Sequence, residues 1–541
     1  MPPADPSRPE TDYIVVGGGA AGAVIAARLS ENPRNRVLLI EAGPDARGLR
    51  YRVPAGTVAL IGDKQTDWQY PPQPDPTLNG RPVLCAAGRM LGGSSAMNGM
   101  VYSRGMRRDY DGWGEIAPGW SFDEVLPYFL KAEGYTGAPC QDHGTFGPQR
   151  VSPPRAFHRL AKVFLDACDG EGLPPRQDYC SGETFGAFPV LGFIGADGLR
   201  YSTADAYLRP ARRANLEVVT GASVDQILFE GRRAVGVRGR IGEATFERRA
   251  GAEVIVCAGA YGSPALLMRS GVGDGEALGG LGVETVSHLP DVGKNLRDHL
   301  GAGVSKLVSV PTYNSPLGPA QYLSYGLQYL FARRGPLASA VVQAMAYGRS
   351  DPALAEPDYM LSFIPLCIDY RSTPPSLHKQ PGVNIGANIC RPRSTGEVRL
   401  VSPDPRVPPQ AHHRLLQDES DVAVIVAALQ KAAAVLSSPA FAPYVTAPCN
   451  PIEEPTTAQG WADHARSTGG SSYHPVGTCR MGKDDRSVVS PTLEVRGVSG
   501  LRVADASIMP TLTSGNTAAP TIMIAEKAAE MIQAAAATVR T

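Results

Sequence analysis

Residues 11–16 (TDYIVV) form a β-branched, apolar run that ends in Gly17-Gly18-Gly19-Ala20-Ala21-Gly22. Apolar Val24, Ile25, Ala27 and Leu29 follow at helical spacing, and a second apolar run, residues 36–40 (RVLLI), stops at Glu41. Strand, Gly-x-Gly-x-x-Gly, helix, strand and acid in about 30 residues have the order and length of a βαβ unit that holds a dinucleotide. Gly17 is expected at the tight turn, Gly19 where main chain approaches a pyrophosphate, and Gly22 where helix packs on strand. The helix N-terminus offers free N–H groups and partial positive charge to phosphates. Glu41 can accept from a ribose 2′-hydroxyl and would repel a 2′-phosphate, which argues against NADP. The motif alone leaves NAD and FAD open.

Two later segments bear on that choice. Residues 253–257 (EVIVC) read as a strand entering Ala258-Gly259-Ala260, with a helix expected from Ser263-Pro264, a good N-cap and N1 pair. Residues 501–504 (LRVA) end at Asp505, followed by Ala506. A carboxylate at a strand's carboxyl end is where an open α/β sheet meets its ligand, although Asp505 reads equally as a helix cap. Returns to one sheet from residue 14 to residue 504 suit FAD, a large cofactor embraced by distant segments, better than NAD.

A chain of 541 residues exceeds what one core usually serves, so two structural units are expected. The net charge is zero, so nothing draws the chain to nucleic acid or anionic lipid. Residues 1–10 lack a basic segment and an apolar one, and no run approaches the ~20 apolar residues of a membrane span, so a cytoplasmic location is expected. Nine scattered cysteines include no CxxC and nine histidines no HExxH, which predicts reduced structural thiols and no metal.

The chain resembles the glucose–methanol–choline (GMC) oxidoreductases over nearly its whole length. The resemblance rests on residues 88–98 (GRMLGGSSAMN), residues 259–267 (GAYGSPALL) followed by Ser270-Gly271-Val272-Gly273, Ser472-Tyr473-His474-Pro475, and Ser514-Gly515-Asn516-Thr517. It implies an α/β plus α+β architecture. A Rossmann-type FAD-binding domain would span 10–155, 205–299 and 460–541, and a discontinuous substrate domain on an antiparallel sheet would span 156–204 and 300–459. It further implies FAD contacts from Glu41, Ser95, Asn98, Val101, Val224, Asp505 and Thr517, with Arg89, Gly92, Ala258 and Ala506 in the same motifs. Some relatives attach FAD through a histidine three residues before the position of Gly88. Cys85 stands there, so non-covalent FAD is expected, a thioether to Cys85 being the other option.

Oxidising an alcohol requires a hydride acceptor, which flavin supplies, and a group that removes the hydroxyl proton. The resemblance implies His474 as that base and Asn516 beside the substrate oxygen. Taken alone, Asn516 also reads as the N-cap of a helix over 518–532. A free imidazole predicts kcat/KM rising through one ionisation near ~6.5. From Leu300 through Ser350 there is no Asp or Glu. A buried cation without a partner is costly, so choline is disfavoured. Tyr313, Tyr322, Tyr325, Tyr329, Phe331 and Phe363 suit a neutral alcohol, whether aromatic, furanic or sugar-derived. Arg391 and Arg393 read as a solvated strand end or an anion site. Electrons would pass to O2 or a quinone-like acceptor. A lyase of the hydroxynitrile type on the same scaffold is the alternative.

Overall fold

The two apolar runs around the glycine loop are parallel neighbours in a computed structural model of the chain, which describes residues 11–138, 140–316, 318–369 and 376–540. The segment 1–10, read above for a signal, lies outside them. The order across this sheet is Leu216–Thr220, Val37–Glu41, Thr11–Val16, Ala244–Val256, with Leu501–Val503 pairing on the end of the last. Thr11–Val16 and Val37–Glu41 are buried at every position. That pattern is typical of parallel strands covered on both faces, which explains their unbroken apolar character. The long strand Ala244–Val256 serves two partners. Its first half pairs antiparallel with Arg233–Ile241, which continues to Ala222–Glu230, and its second half runs parallel to Thr11–Val16.

Helix Ala20–Leu29 is buried almost throughout and packs on the C-terminal helix Ala518–Arg540. Arg28 seals that contact by donating from Nε and Nη2 to Glu526, which also accepts from Tyr207 at 2.8 Å. The helix after the second glycine motif is Gly259–Arg269, five residues earlier than Ser263-Pro264 as N-cap and N1 suggests. Ser263 lies inside it because its hydroxyl is engaged by Asp505 instead of capping. The C-terminal helix likewise runs past residue 532 to Arg540.

A second, antiparallel sheet is ordered Val445–Asn450, Leu300–Val308, Gly382–Ile389, Tyr359–Ile364, Ala344–Gly348, Gly186–Pro189. Side chains alternate across it. Ala344, Ala346, Leu361 and Phe363 join the core under helices Arg159–Gly170 and Glu419–Ser437, while Met345, Tyr347 and Met360 join the core of the nucleotide-binding side. Glu419–Ser437 is long and apolar enough to cross a bilayer by composition, unlike the expectation from residue runs. More than half of its most apolar window is buried in the protein. Residues 397–399 form a strand that pairs with Gln410–His412 in a separate ribbon.

Candidate active site

The glycine loop folds as its spacing dictates. Gly17 has φ +98°, and a Cβ there would lie 2.5 Å from the Cys257 carbonyl oxygen. Glu41 receives the Gly18 N–H at 2.8 Å and the Gly43 N–H at 2.7 Å. Its burial pushes the carboxyl up to about 7, against those two hydrogen bonds. Gly19 is the N-cap of Ala20–Leu29 with no side chain capping the helix, so the first N–H groups remain directed outward.

Residues 88–98 close over this loop. The Gly92 N–H donates to Gly18 O at 2.7 Å, and a Cβ on Gly93 would lie 2.7 Å from the Gly19 Cα. Ser95 is buried, donating to Gly92 O and accepting from the Thr203 N–H. The Arg89 guanidinium lies 5.3 Å from the centre of the Trp68 ring, and its buried Nε has no protein partner. Asn98 accepts from Arg200 through its Oδ1 and its carbonyl, and Val101 is buried in a bridge to Gly192. Arg200 carried no signal in the sequence. It is 1% exposed, has its guanidinium pushed down to about 9 by burial, and ties the loop to Thr57.

Among the remaining cofactor candidates, Ala258 and Asp505–Ala506 follow the carboxyl ends of parallel strands. Asp505 accepts from the Gly259 N–H, the Ser263 hydroxyl and the Ser507 N–H, so it caps two elements at once. Ala258 is the residue before Gly259–Arg269, and Ala506 opens the short helical turn Ala506–Ile508. Val224 is on strand Ala222–Glu230, three residues past Gly221, whose N–H bonds Gly43 O beside Glu41. Thr517 starts the last helix and accepts from Thr521.

His474 and Asn516, 42 residues apart, meet at the seam between the two sheets. Asn516 Nδ2 lies 2.9 Å from His474 Nε2. Asn516 therefore spends its side chain on the imidazole and not on a helix cap. A second histidine, missed in the sequence, completes the group: His299 Nδ1 lies 3.0 Å from His474 Nδ1, and His299 Nε2 lies 3.1 Å from Cys390 O. The alignment comes from the short pairing of Leu300–Gly301 with Gly470–Ser471, extended by the Ser472 N–H donating to His299 O. Asp298 accepts the His474 N–H at 2.9 Å, and burial pushes its carboxyl up to about 7. Asp298-His299 directly before the carboxylate-free stretch was the available signal.

Desolvation lowers the His299 imidazole to about 4. Desolvation and then the neighbouring His299 hold His474 well below 6.5. Both rings are neutral near pH 7, so each carries one N–H. A carbonyl can only accept, so His299 donates from Nε2 to Cys390 O and presents Nδ1 as an acceptor. His474 must then donate from Nδ1, which leaves its Nε2 lone pair facing Asn516.

Arg391 is neither a solvated strand end nor an open anion site: it donates to Ser514 Oγ at 2.7 Å and Pro357 O at 2.8 Å. Arg393 stays exposed. Phe363, Tyr329 and Phe331 do not converge on the seam either. Phe363 stacks on Phe164 under the helical layer, Tyr329 is buried beside Gly198, and Phe331 is 80% exposed. Tyr347 takes the near position, donating to Ser514 O at 3.2 Å.

Among the described residues, one group of metal-ligating types lies together, with atoms of His143, Asp178 and Cys180 within 4.8 Å of one another. His143 Nδ1 is 2.6 Å from Glu133 and Nε2 is 2.5 Å from Asp178. Burial opposes the ring's charge, but the two carboxylates prevail and raise it to about 9. Both nitrogens are engaged as donors, so the cluster is an imidazolium clamp. Because the folded value lies above the ordinary ~6.5, its stabilisation is complete below that pH and is lost as pH rises through about 9. The drop in urea midpoint between pH 6 and 9.5 should accordingly shrink in His143→Asn.

A parallel sheet that carries the glycine loop is joined to an antiparallel one with a neutral histidine at the seam, the build of a dinucleotide-dependent oxidoreductase. Comparison with known proteins agrees. GMC oxidoreductase models match residues 11–301 and 392–525. The chain is 40% identical to an uncharacterised GMC-type oxidoreductase of Mycobacterium tuberculosis H37Rv, over 97% of this chain and 99% of that one. It is 37% identical to the mitochondrial choline dehydrogenase of Homo sapiens, over 97% and 90%. The crystal structure of pyridoxine 4-oxidase from Mesorbium loti superposes with a TM-score of 0.88 at 32% identity, covering 96% and 99%. This chain belongs to the GMC oxidoreductase family. It is an enzyme of an FAD-binding alcohol oxidoreductase family.

Proposed function

We propose that this chain oxidises a neutral alcohol to the carbonyl, with non-covalently held FAD as hydride acceptor and His474 Nε2 as the general base. The observation that carries this reading is the directed chain from Cys390 O through His299 to His474, which leaves one lone pair at the seam. A carbinol placed between His474 and Asn516 would donate its proton to Nε2 and accept from the Asn516 amide. FAD, when bound, supplies hydride acceptance at N5 and passes the electrons to O2 or a quinone-like acceptor.

The residues present fit that cofactor. The uncapped helix N-terminus and the Gly17–Gly19–Gly22 loop suit a pyrophosphate, Glu41 a ribose hydroxyl, and the unpartnered Arg89 Nε an acceptor oxygen. Ser95, Asn98 and Val101 would hold the flavin side, and Val224, Ala258, Asp505, Ala506 and Thr517 would contact the rest of the cofactor. Non-covalent binding is supported by Cys85, whose thiol is buried in an apolar cluster and pushed up to about 12. The lack of a carboxylate from residue 300 to 350 supports a neutral substrate over a quaternary ammonium.

The test is an anaerobic screen of neutral primary and secondary alcohols, read as bleaching of the oxidised flavin band, followed by admission of air. Bleaching supports redox turnover, and its absence with every substrate that is consumed would instead support a lyase. The depressed imidazole also revises the pH expectation. Burial and the neighbouring His299 hold the His474 imidazole well below its ordinary range, so kcat/KM should be level from pH 6.5 to 8. A rise of about twofold over that interval, which is what a base ionising near ~6.5 gives, would show that His474 titrates like a free imidazole.

A further inference from the structure

The fold brings two cysteines 82 residues apart in sequence into contact: Cys367 Sγ and Cys449 Sγ lie 2.9 Å from each other. Each is placed there by a specific local device. Cys449 belongs to the edge strand Val445–Asn450, whose pairing with Leu300–Val308 slips between Ser305↔Asn450 and Lys306↔Pro448. Cys449 is thus the extra residue of a β-bulge, and bulges re-aim the side chain they carry. Cys367 is fully buried, follows strand Tyr359–Ile364, and donates its N–H to Asn314 Oδ1. Gly382 makes room for it, since a Cβ at 382 would lie 2.5 Å from Cys367 Cβ. The contact therefore spans from the edge strand to the segment that leaves the sheet beyond residue 364. It lies far along Leu300–Val308 from the end that carries His299.

We propose that Cys367 and Cys449 form a reversible disulfide, a modification site separate from the seam. Half-buried Cys449 is the entry thiol and buried Cys367 the resolving one. With a low-molecular-weight disulfide such as oxidised glutathione, the Cys449 thiolate attacks one sulfur, breaks that S–S bond and releases one glutathione thiolate. The Cys367 thiolate then attacks the Cys449 sulfur of the mixed disulfide, forms the Sγ–Sγ bond and releases the second glutathione. The two cysteines lose two electrons, glutathione disulfide gains them, and the two thiol protons pass to the released thiolates. The bond ties the segment through Cys367 to the edge strand. Asn314 shares that anchorage, since its side chain bonds His378 O and Gln380 O.

The test is incubation of the intact flavoprotein with oxidised glutathione, alkylation of free thiols, and peptide mapping without reductant. The expected product is a peptide pair linking Cys367 to Cys449, with the apparent Tm raised by a few degrees over the reduced protein. Cys449→Ser and Cys367→Ser should each lose both the linked peptide and the shift. Recovery of both cysteines alkylated, with glutathione only on the exposed Cys140, would overturn the proposal, as would linkage of either to another cysteine.

Discussion

Replacing His474 by alanine is expected to lower kcat by roughly 10²–10⁴-fold, the usual contribution of a positioned general base, while the protein stays yellow. The separation of the two readouts follows from where His474 is held. Its ring contacts are His299 and Asn516, and its main chain is held by Asp298, so none of its hydrogen bonds supports the glycine loop or residues 88–98. Asn516→Ala removes one hydrogen bond and no base, so its cost should be near tenfold, about 1.4 kcal/mol. Single-turnover flavin reduction in both variants measures the step directly. Near wild-type reduction in His474→Ala would remove the residue from proton transfer. Loss of flavin in that variant would give it a role in cofactor retention instead.

Gly22→Ala should be strongly damaging to the nucleotide-binding side. Its Cβ would lie 1.9 Å from the Gly17 carbonyl oxygen and 3.2 Å from Cys257 Cβ. Neither neighbour can retreat. Gly17 is itself pressed against the Cys257 carbonyl, and Cys257 is buried on the central strand. Overpacking of this kind costs about 3 kcal/mol. The helix N-terminus moves with the loop, so FAD affinity should fall by about 100-fold, at tenfold per 1.4 kcal/mol. Gly19→Ala separates the causes. A Cβ there meets nothing nearer than 3.9 Å, so the protein itself tolerates it. That variant should keep its apparent Tm without flavin yet bind FAD weakly. A Gly22→Ala protein with unchanged Tm and FAD affinity would mean that the loop accommodates the methyl group and that the cradle is not built as described.

The parts legible in the sequence were those whose chemistry is local. Thr11–Val16, the glycine loop, Val37–Glu41 and the strand ending at Cys257 were readable because burial on both faces and close approach leave no other residue types admissible. Helix starts were less legible. Ser263-Pro264 has the composition of a cap, but the carboxylate of Asp505, distant in sequence, captures the Ser263 hydroxyl and the helix begins at Gly259. The aromatic run from Tyr313 to Phe331 looked like a pocket lining because composition reports apolarity and not direction. Tyr329 packs beside Gly198 and Phe331 is exposed, while Tyr347 approaches the seam instead.

From the sequence alone, the order of the nucleotide-binding βαβ unit, the identities of His474 and Asn516, and the absence of a carboxylate after His299 were all determined. Tertiary structure decided which nitrogen of His474 is the acceptor, because that depends on a hydrogen-bonded chain from Cys390 through His299, residues 84 and more positions away from it. It also decided that Arg200 anchors the loop at Asn98 and that Cys449 meets Cys367. A residue's type is written in the chain, whereas its protonation state and its partner depend on which distant groups burial forces against it.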